Sequence, residues 1–275
     1  VEGIGEPSAG AGRVPVGIDP TVPSIARVYD YMIGGKDNFA SDRAVGDMIK
    51  EQLPGAVTIA VENRRVLGRA VRYLVRQAGI RQFIDIGSGL PTAENVHQVA
   101  QRHAPESRVV YVDSDPIVLA HGRALLDEND RTAVIQADAR DPRGILDDSA
   151  TRKLIDFDRP VGVILCAVLH HLEDEEDPAG IVATLREAVP SGSHLFITHF
   201  RTEHNEESQQ IEQMLQASFG RGRWREQHEI ESFFTGLEMV DPGIVPLVEW
   251  HPDTPPDREP TAWDRLIVGG IGRKP

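Results

Sequence analysis

The sequence is short of cysteine, of positive charge and of long apolar runs, and each shortage closes off a class of protein. Cys166 is the only cysteine in 275 residues, so no intrachain disulfide can form and no Cys/His zinc spacing occurs; a reducing, cytoplasmic setting is expected. Lys and Arg number 29 against 43 Asp and Glu, a formal charge of −14. Such a field repels phosphate backbones and anionic membranes, so neither nucleic acid nor a membrane is an expected partner. The absence of an "NPPY"-like motif for flipped bases argues further against action on DNA. No stretch approaches the roughly 18 apolar residues of a membrane span. What remains, 40% hydrophobic and 26% charged, suits one large globular domain with or without an accessory part. The composition leaves oligomeric state open between monomer and homodimer.

Three regions follow one another. Residues 1–20, rich in Gly and Pro and without an apolar signal core, are expected to be a flexible lead. From residue 21 to 79 the pattern is helical, punctuated at Gly34-Gly35 and Pro54-Gly55. Within its third helix Leu67, Ala70, Val71, Leu74, Val75 and Ala78 form one apolar stripe, with Arg65, Arg69, Arg72 and Arg76 expected on the other faces and Gly79 as the stop. From residue 80 to 275 short β-rich runs alternate with helical stretches. The runs are "QFIDI" (82–86), "RVVYV" (108–112), "AVIQA" (133–137), "VGVILCAVL" (161–169) and "HLFITHF" (194–200). Helices are expected near 91–103, 116–127, 178–189 and 206–219. Two further runs, 239–250 and 264–272, are joined by a link too short for a crossover helix and should pair antiparallel. The expected fold is α/β: a doubly wound, Rossmann-like sheet with a reversed edge.

In such sheets a ligand binds beyond the carboxyl ends of the strands, so the turn after the first strand is the place to look. "DIGSGLPT" puts Gly87 and Gly89 there, where a backbone can approach a ligand closely. The dinucleotide fingerprint needs a third small residue three positions on, and Thr92 stands in its place. Asp85, two residues before the first glycine, repels a pyrophosphate but suits a ligand carrying an ammonium and a sulfonium. This points to S-adenosylmethionine. Asp113 at the end of the second strand can accept from both ribose hydroxyls, and Asp138 at the end of the third can take an adenine amino group. Either alone reads equally as a helix cap; three acids on successive strand ends do not. Asp115 before Pro116 is the ordinary cap.

"DIGSGLPT", "VVYVDSDPIVLAHGRALL", "AVLHHLED" and "PSIARVYDYMIGGKDNFASDR" together resemble a bacterial S-adenosyl methyltransferase family of actinomycete type, formerly described as a domain of unknown function. The resemblance spans nearly the whole chain after the lead, and "YDYMIGGKDNF" is its most specific block. It implies the class I methyltransferase fold, strand order 3-2-1-4-5-7-6 with the seventh strand antiparallel, and bound S-adenosylmethionine. It names no acceptor. On that analogy Asp85, Gly87, Ser88 and Gly89 hold the methionine part, Asp113 and Ser114 the ribose, and Asp138 with Ala139 the adenine. Cys166 and Ala167 lie where the fourth strand passes the cofactor.

The remaining candidates are read from position. Tyr31, Met32 and Asn38 are expected nearest the cofactor in a helical lid that moves at Gly34-Gly35. Asn63 and Arg64 are placed to reach the methionine carboxylate. His170 and His171, after the fourth strand, are the catalytic candidates, His170 being the inward one by strand alternation. His199, Glu203 and Trp250 are candidates for the substrate pocket, with Met214, Leu215, Phe219, Trp224, Phe233 and Phe234 as core or apolar wall. The acidic run 173–177 is expected to be solvated and to lead into a helix capped near Asp177; nothing fixes a metal geometry there. The expected activity is methyl transfer to oxygen or nitrogen of a small molecule. Two alternatives stay open: a non-catalytic protein that binds S-adenosylmethionine or S-adenosylhomocysteine, favoured by a packed apolar wall rather than an open polar one, and an NAD-dependent oxidoreductase.

Overall fold

Each strand must satisfy two apolar faces, and that requirement organises the molecule. The computed structural model describes residues 18–91, 94–126, 130–254 and 258–275. Most of the lead, and Thr92, lie outside the described residues, as do the side chains of Leu215 and Phe219. Three helices come first: α1 (Ile25–Met32), α2 (Ala40–Gln52) and α3 (Ala56–Arg76). The alternating part runs β1 (Gln82–Ile86), α4 (Val96–His103), β2 (Arg108–Asp113), α5 (Pro116–Leu126) and β3 (Thr132–Gln136). It continues through α6 (Pro142–Asp147), α7 (Ser149–Leu154), β4 (Gly162–Cys166), α8 (Pro178–Ala188), β5 (His194–Phe200) and α9 (Glu206–Phe219). After α10 (Gln227–Ser232) come β6 (Glu238–Met239), β7 (Val245–Pro246), α11 (Ala262–Arg265) and β8 (Ile267–Arg273).

The sheet order is β3-β2-β1-β4-β5-β8-β6, with β7 also against β8. Strands β1 to β5 are parallel, and β8 is antiparallel to β5, β6 and β7. This is the doubly wound sheet with a reversed edge that the alternation predicts. The sixth expected strand is two short pieces instead, because Pro242 and Gly243 (φ +89°) turn the chain between them. The long antiparallel strand is therefore the eighth.

On one face, Phe83, Val109, Ile164 and Phe196 pack under α3 and α4; on the other, Ile84, Val110, Val163 and Leu195 meet α6 and α8 through Ile145, Ile181 and Leu185. The stripe Leu67, Ala70, Val71, Leu74 and Val75 is buried as expected, so α3 belongs to the core layer. Truncating Leu74 there would cost about 2–5 kcal/mol. Arg69, by contrast, does not sit on a solvated face. It is 7% exposed, pairs with Glu62 at 2.8 Å and donates to the carbonyls of Trp250 and Leu247 at 3.0 and 2.6 Å. Helix α4 starts at Val96 behind Asn95 rather than at Pro91. Helix α2 starts after Phe39, whose N–H donates to Asp42 at 2.7 Å while Asp42 also accepts from Arg27 at 2.9 Å. Asp42 is thus the third helical residue, with Phe39 at the cap. Among the described residues no helix is long and apolar enough to cross a membrane.

Candidate active site

The pleat decides which side chains reach the carboxyl ends of the strands on the α3 side. Phe83, Asp85 and Gly87 alternate onto that face, as do Val109, Tyr111 and Asp113 on β2 and Phe196, Thr198 and Phe200 on β5. Beyond them lies a cavity of about 410 Å³. Its wall is completed by α1, by the first half of α3 and by Trp224, Trp263 and Ile267 from the last third of the chain.

The glycine turn forms one end. Gly87 and Gly89 have φ of +69° and +66°, which other residues adopt only with strain. A Cβ on Gly87 would lie 2.5 Å from Val168, whereas one on Gly89 would meet nothing within 4 Å. Gly87 is needed for packing as well as for its backbone; Gly89 leaves the cavity wall bare. Asp113 pins the turn, accepting from Gly89 N–H at 2.8 Å with one oxygen and from Asp115 N–H at 2.9 Å with the other. Burial raises its pKa, although those hydrogen bonds pull the other way. Asp115 in turn accepts from Ile117 N–H at 3.0 Å, the ordinary cap.

Asp85 is 3% exposed and lines the same cavity end. Burial pushes its pKa up to about 7, partly offset by the Arg64 guanidinium, while Asp113 adds to the rise. Among the described residues no hydrogen bond reaches its carboxylate. Ser88 Oγ and Arg64 Nε line this end too and are buried without hydrogen-bond partners among the described residues. Arg64 is steered by a bond from its terminal nitrogen to Asn95 at 3.1 Å. An acid, a hydroxyl and a guanidinium held this way form a set that a zwitterionic ligand would complete.

Ser114, Asp138, Ala139 and Arg140 line the side beyond β3. Asp138 is not free for a ligand alone: the Arg140 side chain grips both its oxygens, and this hydrogen bonding lowers its pKa. Cys166 and Ala167 also lie on the wall. Burial pushes the Cys166 thiol up to about 12, so it is a neutral contact surface. Asn63 accepts from Thr198 Oγ1 at 2.8 Å and from Cys166 Sγ at 3.5 Å; its carboxamide is committed to the strand ends.

Several expected residues stand elsewhere. Tyr31 does not line the cavity: its hydroxyl donates to Asp47 at 2.6 Å and its ring packs on Gly46, where a Cβ would lie 2.4 Å away. Asn38 donates to Asp30 at 2.8 Å and to Gly35 O at 3.1 Å, closing the turn between α1 and α2. Met32 does reach the wall, and so does Tyr29, which the sequence reading passed over. His199 is fully buried behind the wall, Glu203 pairs with Arg201 at 2.8 Å, and Trp250 is sealed in the core beside Tyr73 and Phe196. None of these three lines the cavity.

His170 and His171 both do. They occupy a single 3₁₀ turn, Leu169–His171. The His170 ring stands 4.4 Å from His171, 4.6 Å from Phe200 and 5.5 Å from His199. Burial, with His171, His199 and Arg225 nearby, drives the His170 pKa well below the ordinary value, and burial takes His171 down to about 4. Both rings are neutral at physiological pH. The acidic run is exposed at Asp174, Glu175 and Asp177 as expected, and it is also tied to the chain opposite: Glu173, Asp174 and Glu176 bind Gly222 N–H, Arg223 and Arg221. Asp177 does cap α8. Among the described residues no group of three or more His, Cys, Asp or Glu side chains could hold a metal ion.

The far end of the cavity is apolar, with Phe200 stacked on Trp224 at 4.6 Å and 7°. Leu53, Ile59, Ile211 and Trp263 complete it. Trp263 lies on Gly55, where a Cβ would fall 2.1 Å from the ring. Strand alternation from Phe196 would have found Phe200; nothing in the local pattern points to Trp263.

The family described as S-adenosyl methyltransferase matches residues 12–275. The chain is similar to a crystal structure of a candidate methyltransferase from Thermobifida fusca YX, at 45% identity over 94% of this chain and 98% of that one, TM-score 0.91. A duf574 family protein from Streptomyces avermitilis is 42% identical over 92% and 98% of the two chains, TM-score 0.88. An O-methyltransferase family 2 protein from Planctomyces limnophilus, solved with apigenin, shares the fold at TM-score 0.50 and 16% identity over 86% of this chain and 66% of that one. No match was found among curated proteins.

Proposed function

This chain belongs to the S-adenosyl methyltransferase family and is an S-adenosylmethionine-dependent methyltransferase, and on that premise we propose that it methylates oxygen or nitrogen of a small, largely apolar molecule. The observation that carries this reading is the two-ended cavity. An acidic end built on Asp85 and Asp113 is continuous with an apolar end built on Phe200, Trp224 and Trp263. The histidine turn joins them: Val168 backs Gly87, and the His170 ring stands 4.6 Å from Phe200. An oxidoreductase using NAD is set aside by the family itself. The cavity is open yet mostly apolar, so its wall alone does not separate an enzyme from a binder; family membership makes it an enzyme.

The buried groups fit the cofactor. Asp85 would take the ammonium, Arg64 the carboxylate of the methionine part, and the remaining lone pairs of Asp113 the ribose hydroxyls, with Gly89 letting the ligand approach. Ser88 and Ser114 lie along the same path. Asp138 is shared with Arg140, so its part is to hold the adenine edge of the wall together with Ala139. Helices α1 and α2 would cap the cofactor, through Met32 and Tyr29 rather than Tyr31 and Asn38. When bound, S-adenosylmethionine supplies an electrophilic methyl group on a sulfonium. The chain must then hold a nucleophile in line and keep water out, worth far more than any one base when geometry is good. His170, kept neutral, offers a nitrogen lone pair to the acceptor hydroxyl or amine. With a pKa so far below the working pH it is a weak base, so it orients the nucleophile more than it removes the proton. His171 lies alongside as a second polar contact.

The test is methyl transfer from label-bearing S-adenosylmethionine to a panel of small phenols, aryl amines and aryl carboxylates. Labelled neutral phenols or amines are expected, with kcat falling about 100-fold in His170→Ala, the scale of a lost positioning contact. Transfer confined to carboxylates, or to nothing while the cofactor still binds, would count against this acceptor class.

A further inference from the structure

The segment after α9, Gly220 to Arg225, grips the histidine turn closely. Four successive carbonyls, those of Leu169, His170, His171 and Leu172, all accept from it. Arg225 donates to Leu169 O and Leu172 O, both at 3.1 Å; Arg223 N–H donates to His170 O and Arg221 Nε to His171 O, both at 2.9 Å. The approach depends on Gly222, whose φ is +116° and on which a Cβ would sit 2.8 Å from His170 O. The acidic run closes the other side. Asp174 binds Arg223 at 3.0 Å and Arg225 at 2.9 Å, Glu176 binds Arg221, and Glu173 accepts from Gly222 N–H at 2.8 Å.

Arg225 is 3% exposed and lies outside the cavity wall. Its guanidinium also meets His199 Nε2 at 3.1 Å. Arginine can only donate, so Nε2 must accept; the proton of His199 is on Nδ1, which donates to Phe200 O at 2.6 Å. The Phe200 carbonyl and Arg225 thus agree on the tautomer of His199, and the same buried cation holds both carbonyls flanking the His170–His171 pair. The groups facing His170 are His171 from its own turn, His199 from β5 and Arg225 from this segment. Its Nδ1 is buried and has no hydrogen bond among the described residues, so only backbone clamping and ring packing hold the imidazole in place.

We propose that Arg225 is a positioning residue for methyl transfer: with the backbone of residues 221–223 it clamps the histidine turn and fixes how His170 faces the acceptor. Energetically this is pre-organisation, since a ring lacking its own hydrogen bonds is oriented by a turn whose carbonyls are all committed. The inference rests on the reading of His170 as the group that meets the acceptor. Its test does not depend on that role.

The experiment records nitrogen-15 imidazole spectra of the full chain bound to S-adenosylhomocysteine, with His170 and His199 assigned through His170→Asn and His199→Asn. In the wild type, His199 should give a single Nδ1–H tautomer, and neither ring should titrate between pH 8 and pH 5. In Arg225→Gln the His199 Nε2 pattern should change, because its guanidinium donor is gone while Phe200 O keeps the proton on Nδ1, and the His170 nitrogens should shift. Arg225→Lys, which keeps the charge but not the fork, should restore neither pattern fully. Asp174→Asn, whose side chain is 58% exposed, guards against misfolding, and Gly222→Ala, strained at its φ of +116°, tests the backbone half of the clamp by pushing the segment off His170 O. Each should move the His170 signals in the same direction. Unchanged His170 and His199 signals in a folded Arg225→Gln, or in both Asp174→Asn and a folded Gly222→Ala, overturn the proposal. Full transfer by His170→Ala alongside these shifts would instead remove His170 from the reaction while leaving the clamp standing.

Discussion

Asp85, proposed to take the cofactor's ammonium, is where that proposal can be tested at the level of one carboxyl group. Its pKa of about 7 in the free protein is above the ordinary carboxylate range, so the folded state favours the protonated form. For a group shifted this way, stability is highest at low pH and is lost as pH rises from the usual carboxylate range through 7. A ligand ammonium reverses the preference, and below pH 7 it binds only after a proton has left. Affinity for S-adenosylhomocysteine should therefore fall about tenfold for each pH unit below 7. Calorimetry from pH 8 to pH 5 measures this directly, with Asp85→Asn expected to bind weakly and without that slope. The same variant should melt higher than wild type at pH 8 and not at pH 4; a pH-independent wild-type affinity would remove Asp85 from the ammonium site. That Asp85, Asp113 and the two glycines line the cavity follows from a local mark in the sequence, strand ends and a positive-φ turn. Tyr31 and Asn38 were misread because a polar residue in a loop looks the same whether it binds a ligand or closes its own turn.

Among elements, the long periodic ones could be read from sequence: α3, α9 and β5 lie where their patterns put them, β5 and α9 residue for residue. Breaks were harder. Pro91 resembles a first helical residue but α4 waits for Asn95, and β6 and β7 are separated by a turn that apolar content alone conceals. The α1–α2 pair was expected to flex at Gly34-Gly35, yet that turn is tied shut. Asp30 accepts from Asp37 N–H at 2.9 Å and Asn38 at 2.8 Å, and a Cβ on Gly35 would strike the Asp30 carboxylate. Farther out, Ala26 and Phe39 pack on Leu90, Ile117 and Val118 beside the glycine turn. A pair stitched this way responds to a ligand as one body. Hydrogen exchange with and without S-adenosylhomocysteine should show protection gained across residues 25–52 together. Protection limited to residues 84–90 would mean that these helices do not cap the cofactor.

The whole molecule explains both the choice of ligand and the limit of sequence reading. Wall residues of the cavity come from α1, from α3, from the ends of five parallel strands and from the stretch between Ile211 and Ile267, so its apolar end exists only once the full chain has closed. No window of sequence contains that end, and Trp263 on Gly55 is its clearest case. Charge, in contrast, is a global quantity visible at once. A net −14, with Asp85 and Asp113 at the cofactor end and Arg64 as the nearby cation, sets an unfavourable potential for the doubly charged pyrophosphate of NAD and a favourable one for an ammonium. The two ligands share an adenosine, so comparing them isolates what the acids contribute. Saturating S-adenosylhomocysteine at 100 times its dissociation constant should stabilise the chain by about 2.7 kcal/mol, a rise in Tm of several degrees. NAD at the same concentration should leave Tm unchanged, and Asp85→Asn should narrow the gap by weakening the first ligand rather than by admitting the second. An equal rise with NAD would mean that the turn holds adenosine alone and that the acids select nothing.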